Sequence, residues 1–376
     1  MKPYLLLAPG PVNLHPKVRG ILSEPMIHHR TPLFDGILKQ VLERLPKIFG
    51  TSQKVYLLTS TGSGGMECLM LNTCNQGDEI LVINSGKFGE RWVEMGKVYG
   101  LKIHELIVPW GEAVQPELVR TYLDQHPIKT VFCQACETST AVKHPIEELG
   151  QLIKKYSDVL FMVDGITAVG AYPLPMDRWS IDGLVAGSQK AFMLPTGMSF
   201  VSFSEKAWKR IPTTTLPRFY FDIREEDKAN RKGETWFSSN VALIKALDFV
   251  LSLIFDKGLD KHYEEIRRRA EFTRWALISM GFKLLTNSPS DSVTAFCLPQ
   301  GFDGQQIRST LEKDFNITIM GGQDQLKGKI LRIGHMGYIE NQDQIRLMLD
   351  LQAVFKKENL PYTPLSESNM QIWLNS

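Results

Sequence analysis

The 376-residue sequence carries almost no excess of one charge: 43 Lys and Arg stand against 41 Asp and Glu, a formal net charge of +2. A chain so balanced builds no general field to gather nucleic acid or anionic lipid. It lacks any apolar run approaching the roughly 20 residues a membrane-spanning helix needs. The opening Met1-Lys2-Pro3-Tyr4-Leu5-Leu6-Leu7 has too short an apolar centre, and no small-residue cleavage site, for a secretory leader. Cysteine is scarce and odd in number, with five residues at 68, 74, 133, 136 and 297. Such a count builds no disulfide framework and points to a reducing, cytoplasmic setting. Cys133 and Cys136 form one CxxC, but no second pair supplies the other half of a zinc site. They sit in and beside the apolar run Thr130-Val131-Phe132-Cys133 and read as small core residues, so no metal is expected. Internal repeats and low-complexity tracts are also missing.

What is present is an ordinary globular mix, 43% hydrophobic and 22% charged, long enough for about two domains. Up to residue 205, β-rich runs at 55–58, 79–83, 103–108, 130–133, 159–163, 184–186 and 199–203 alternate with helical spacing at 88–99, 117–125 and 146–156. That alternation predicts an α/β fold, a doubly wound, mostly parallel sheet flanked by helices. Such sheets take ligands beyond the carboxyl ends of their strands. Residues 206–235, with Pro212, Pro217 and a charged stretch, read as a long excursion outside the core. Helices are expected over 238–257 and 260–280, and after Gly281 a smaller α+β module ending near 357. The polar, mixed tail 358–376 reads as a surface strap or a partly mobile end.

Four features can carry chemistry. Thr59-Ser60-Thr61-Gly62-Ser63-Gly64-Gly65-Met66-Glu67 joins a strand to a helix, and offers free backbone N–H groups at a positive helix end, which suits a phosphate. Asp164 closes the run Val159-Leu160-Phe161-Met162-Val163, where a buried carboxylate needs a cationic partner. Lys190 follows Gly187-Ser188-Gln189 in an apolar setting; desolvation there lowers an amine's pKa and makes it a nucleophile toward an aldehyde. Arg332, inside Ile330-Leu331-Arg332-Ile333, presents a fork that matches a carboxylate. Each has a plainer explanation when taken singly: a tight turn, a helix N-cap, a snorkelling surface lysine, a structural ion pair. Together they are the parts that pyridoxal 5'-phosphate and an amino-acid substrate require: a phosphate anchor, an acid for the pyridine nitrogen, an amine for the aldehyde and a clamp for the α-carboxylate.

With those parts in order, the chain resembles the class V, fold-type I aminotransferases, in the branch of alanine–glyoxylate, serine–glyoxylate and serine–pyruvate aminotransferases. The resemblance runs from Ala8-Pro9-Gly10-Pro11 through His29-Arg30-Thr31-Pro32, the glycine-rich turn, Phe88-Gly89-Glu90-Arg91, Glu137-Thr138-Ser139-Thr140 and Gly187-Ser188-Gln189-Lys190 to Leu331-Arg332-Ile333-Gly334. It implies a large domain over 16–257 with a seven-stranded sheet, a small α+β domain over 258–357, an N-terminal arm over 1–15 and a C-terminal tail. By resemblance Lys190 is the Schiff-base lysine and Asp164 the partner of the pyridinium nitrogen. Thr61, Gly62, Ser63 and Gln189 surround the phosphate, Phe88 and Ile166 cover the two ring faces, and Thr138 lies near the phenolic oxygen. Gly233-x-Thr235-x-x-Ser238 resembles the segment that reaches the neighbouring subunit's phosphate, which implies a homodimer with shared sites. Gly10 and Arg332 line the substrate pocket.

The activity so implied is ping-pong transamination from alanine or serine to glyoxylate or pyruvate. Phenylalanine at 88, threonine at 235 and Ala135-Cys136 before Glu137 depart from the glyoxylate-specific pattern. 2-Aminoethylphosphonate aminotransferases and chains labelled soluble hydrogenase subunits share this skeleton, and cysteine desulfurases or lyases use the same cofactor. A desulfurase requires a mobile cysteine and a histidine on the ring, where this sequence has Phe88. A scaffold without activity would have no use for a desolvated lysine.

Overall fold

The structure is a computed structural model describing residues 3–376. Its centre is a seven-stranded sheet made of Val55–Leu58 (β1), Glu79–Asn84 (β2), Lys102–Ile107 (β3), Thr130–Gln134 (β4), Leu160–Asp164 (β5), Gly183–Gly187 (β6) and Ser199–Phe203 (β7). The spatial order is β1-β7-β6-β5-β4-β2-β3. β7 runs antiparallel to both neighbours and the other pairings are parallel. Helices such as Gly62–Thr73, Lys87–Val98, Pro116–Gln125 and Ile146–Ile153 cross between the strands. The expected α/β class is thus the observed one, with strand ends within a residue or two of their sequence positions.

The inner strands are apolar throughout because both faces are covered. In β5, Phe161 and Val163 enter one hydrophobic cluster while Leu160 and Met162 enter another. The two-residue period of a pleated strand divides the run between the layers. Register then fixes the chemistry: Asp164 is the last residue of β5 and pairs with Val185 of the adjacent parallel β6, just upstream of Lys190.

A second, antiparallel sheet contains Lys283–Leu284 (β8), Val293–Cys297 (β9), Met320–Gly321 (β10) and Ile330–Gly334 (β11), in the order β8-β9-β11-β10. Leu5–Leu6 pairs in parallel with Ile317–Thr318, so the N-terminal segment is stitched to this part of the chain. Arg332 lies at the middle of β11.

Two expectations need correction. The 206–235 excursion is not outside the core: it holds the helices Glu205–Arg210 and Ile223–Asn230, and buries Ile211, Leu216 and Ile223. Its apolar residues keep no one period: Trp208 and Ile211 are three apart, Leu216 stands alone and Phe219-Tyr220-Phe221 are consecutive. The tail is no loose strap either, because Glu367–Asn375 is a helix that buries Met370 and stacks Trp373 on Trp275, with centroids 5.8 Å apart. The helix Pro32–Phe49 carries an interior proline, Pro46, and was not foreseen.

Candidate active site

The glycine-rich turn forms because β1 ends at Leu58 and the next helix must start against the sheet. A Cβ on Gly65 would stand 2.5 Å from Val185 Cγ2 and 3.0 Å from Ser199, and one on Gly62 would stand 2.6 Å from Ile166 Cδ1. Only glycine lets the helix start approach so closely. Thr61 is its N-cap and makes no side-chain cap bond, so the first amides of the helix have no acceptor from this residue. Arg91 Nη1 donates to Ser63 Oγ at 2.9 Å, and its guanidinium lies 4.8 Å from the Phe88 ring centroid.

One cavity is lined by Thr61, Gly62, Ser63, Phe88, Thr138 and Asp164, and also by Ile166, Gln189 and Lys190. These nine are among the residues singled out in the sequence. Arg91 and Thr167 complete the lining. Lys190 is buried, with Nζ donating to the Pro9 carbonyl at 2.7 Å. Burial pulls its amine down to about 8, against the opposing pull of the Asp164 carboxylate. Gly10 (φ +126°) packs so tightly on this lysine that a Cβ there would overlap its amine. Asp164 is pushed up to about 6 by burial, offset by the Ile166 N–H, which donates at 2.8 Å, and by the charges of Arg91 and Lys190. Gln189 Oε1 is buried without a partner among the described residues.

Glu137 organises the opposite wall. Its buried carboxylate accepts from the N–H groups of Phe88 and Gly89, each at 3.1 Å, and from Ser139 N at 3.1 Å and Ser139 Oγ at 2.5 Å. It therefore caps the helix Lys87–Val98 from a different element, since Gly86 offers no side chain. Burial pushes Glu137 up to about 7. Thr138 Oγ1 lies 2.9 Å from Thr167 Oγ1. Arg332 crosses from the small sheet, with Nε donating to Gly321 O at 2.9 Å and Nη1 to Thr138 O at 2.8 Å, which leaves Nη2 outside both bonds. Burial draws Arg332 down to about 10.

Thr235 and Ser238 are not brought into this cavity; they line a separate cleft with Thr59, Tyr220 and Phe237. Thr235 Oγ1 donates to Phe237 O at 2.8 Å. Arg218, from the charged excursion, is also elsewhere: it donates to the carbonyls of Leu71 and Leu216 at 3.0 and 3.2 Å and holds its own loop. A larger cavity, about 560 Å³, lies between His15, His262, Arg269 and Tyr338 and contains none of the residues above. Size does not pick out the site: the larger cavity is also lined by charged side chains, but the smaller one holds Lys190, Asp164 and the 61–63 turn. Cys68, Cys74, Cys133 and Cys136 are buried and Cys297 half-buried; burial raises their thiols, so none is an exposed thiolate. Sequence reading missed Arg91, Thr167 and Glu137 as lining or supporting residues. Arg91 had a usable signal, since three positions after Phe88 on a helix is an adjacent position.

The family described as Aminotransferase class-V matches residues 19–345. The chain is 35% identical over 364 residues to the soluble hydrogenase small subunit of Synechococcus sp. (strain PCC 6716), covering 96% of this chain and 94% of that one. It is 34% identical to the L-aspartate–glyoxylate aminotransferase of Paracoccus denitrificans (strain Pd 1222), over 95% of this chain and 92% of the other. In fold it is similar to the ureidoglycine–glyoxylate aminotransferase of Bacillus subtilis, with a TM-score of 0.93, 26% identity, and coverage of 100% and 99%.

Proposed function

The chain belongs to the class V aminotransferases, and from that premise we propose that it uses pyridoxal 5'-phosphate to move an amino group from a small L-amino acid, alanine or serine, to glyoxylate or pyruvate. The observation that carries this reading is the single cavity in which Lys190, Asp164, the 61–63 turn and Gln189 meet. The residues fit the cofactor: a helix start with uncapped amides for a phosphate, an orphaned buried amide at Gln189, and a buried acid–amine pair. The Gln189 amide can turn over so that it donates to an anion instead. The relatives named for glyoxylate support that acceptor.

Bound there, pyridoxal phosphate supplies an aldehyde that condenses with amines and a ring that accepts electrons. Thr61, Gly62, Ser63 and Gln189 would hold its phosphate, Phe88 and Ile166 its ring faces, Thr138 its phenolic oxygen, and Asp164 a proton on its ring nitrogen. Arg332, with Nε and Nη1 already committed to backbone carbonyls, presents Nη2 to the substrate carboxylate near Gly10. Lys190, once free, takes the Cα proton and redelivers it; a lysine drawn to about 8 has a pKa near working pH, where a general base is most effective. Water would release the first product as an oxo acid with its amino group left on the cofactor, and a second oxo acid would accept that group in the reverse direction and give the water back, a ping-pong cycle.

The further parts of the reading are a homodimer in which Thr235 and Ser238 serve the neighbouring site, a division at 16–257 and 258–357 flanked by arm and tail, and a cytoplasmic location. Among the described residues no helix is long and apolar enough to cross a membrane. The decisive experiment mixes the chain with pyridoxal phosphate, reduces it with borohydride and maps the peptides. A pyridoxyl mass on the peptide containing Lys190 is expected; its absence there overturns the reading. Lys190→Ala should lower transamination by roughly a thousandfold or more, measured by oxo-acid formation from alanine, serine or aspartate. Sulfide release from cysteine would favour the desulfurase alternative instead.

A further inference from the structure

Glu79, His104 and His126 converge at the far end of the sheet from Lys190. They are the one group of three His, Cys, Asp or Glu side chains among the described residues whose ligand atoms all lie within 4.8 Å of one another. Three rigid elements supply them. Glu79 opens β2, His104 lies in the edge strand β3, and His126 ends the helix Pro116–Gln125. Glu79 pairs with Lys102 and Leu81 with His104, so Glu79 and His104 are diagonal neighbours on one face of the sheet. His104 Nε2 is 2.9 Å from Glu79 Oε2, and the His104 and His126 rings are 4.1 Å apart between centroids, tilted by 36°. All three side chains are half-buried, so they reach solvent without being loose.

The geometry points to a cation site on this corner: a borderline divalent ion of the zinc class, held by two imidazole nitrogens and one carboxylate oxygen, with water completing the shell. Nitrogen donors select such an ion over magnesium or calcium, which prefer oxygen. Around a tetrahedral zinc with bonds of about 2.1 Å the ligands stand roughly 3.4 Å apart, so the farthest pair needs to close by at most about 1.4 Å and the His104–Glu79 pair to open by about 0.5 Å, both within reach of side-chain rotation. The nearest competitor is Lys102, whose Nζ is 3.9 Å from Glu79 Oε1. That side chain is 70% exposed and is free to swing into water. A bound ion would clip the edge strand β3 to β2 and to the helix end that covers them. It would leave the Lys190 cavity untouched, because that lies beyond the carboxyl ends of the strands.

Calorimetric titration of the full chain with Zn²⁺ in a non-coordinating buffer tests this. One ion per chain is expected to bind the unaltered protein, at least tenfold more weakly to H104A/H126A, and Mg²⁺ should give no binding heat. Aminotransferase activity is the folding control and should be the same in both proteins. Should the double variant fail to fold, His104→Asn alone should weaken binding at least tenfold. Zinc affinity unchanged in a folded variant, or no saturable binding to the unaltered chain, would overturn the site.

Discussion

At the residue scale the site rests on charges held away from water. Arg332 spends two of its donors on Gly321 O and Thr138 O, so its fork is fixed before any substrate arrives. Lysine at that position has a point charge on a flexible stem and no rigid fork to hold the two carbonyls and a carboxylate in this geometry. Arg332→Lys is expected to raise the KM for the amino donor by about tenfold or more, with a smaller change in kcat, read from initial rates. Glu137 makes a pH prediction. Its folded pKa, about 7, lies above its ordinary value of 4.5, so the folded protein keeps a proton that the unfolded chain has released. Its stabilising contribution is therefore complete below about 4.5 and is lost as pH rises through 7. Urea unfolding from pH 5 to 8 should show stability falling in the unaltered protein relative to Glu137→Gln, by a few kcal/mol at most. A difference between the two proteins that stays constant across that range would show that Glu137 does not titrate there.

At the element scale, the decisive feature is how closely two helix starts approach the sheet. The Gly62–Thr73 helix leans on Val185 and Ser199 at Gly65, and the Lys87–Val98 helix leans on Asn84 at Gly89, where a Cβ would be 2.7 Å from the Asn84 Cα. Each approach points free amides or a ring toward the carboxyl ends of β4, β5 and β6. Gly65→Ala pushes a methyl into a packed strand and should destabilise the protein by about 1–3 kcal/mol. It should also weaken pyridoxal phosphate binding, since the 61–63 turn must move with the helix. Chemical denaturation and a cofactor titration check both effects, and an unchanged cofactor affinity would separate the turn from the phosphate.

At the scale of the whole molecule, the walls of the Lys190 cavity are held by parts distant in sequence. The N-terminal segment supplies the Pro9 carbonyl to Lys190, and the small sheet supplies Arg332 to Thr138. Thr235 and Ser238 are outside this cavity, and in the proposed homodimer they would act on the neighbouring subunit's cofactor. T235A/S238A is expected to weaken pyridoxal phosphate binding several-fold, while sedimentation gives a dimer mass, twice 42.6 kDa. Monomer mass with full cofactor affinity would remove the shared-site reading.

The succession of strands, the buried carboxylate at 164, the apolar lysine at 190 and the glycine-rich turn were all legible in the sequence. Inner parallel strands are apolar on both faces, and a charge that ends such a run stands out against it. The packed tail helix and the buried part of 206–235 were not legible, because their apolar residues sustain no pattern beyond about one helical turn and take their partners from distant segments. Nor was the capping of the Lys87–Val98 helix by Glu137, or the placement of Arg91 against both Phe88 and Ser63. Local sequence determines which face of an element is apolar. Which polar groups meet depends on chain reversals and on sheet order, and only the assembled tertiary structure decided that.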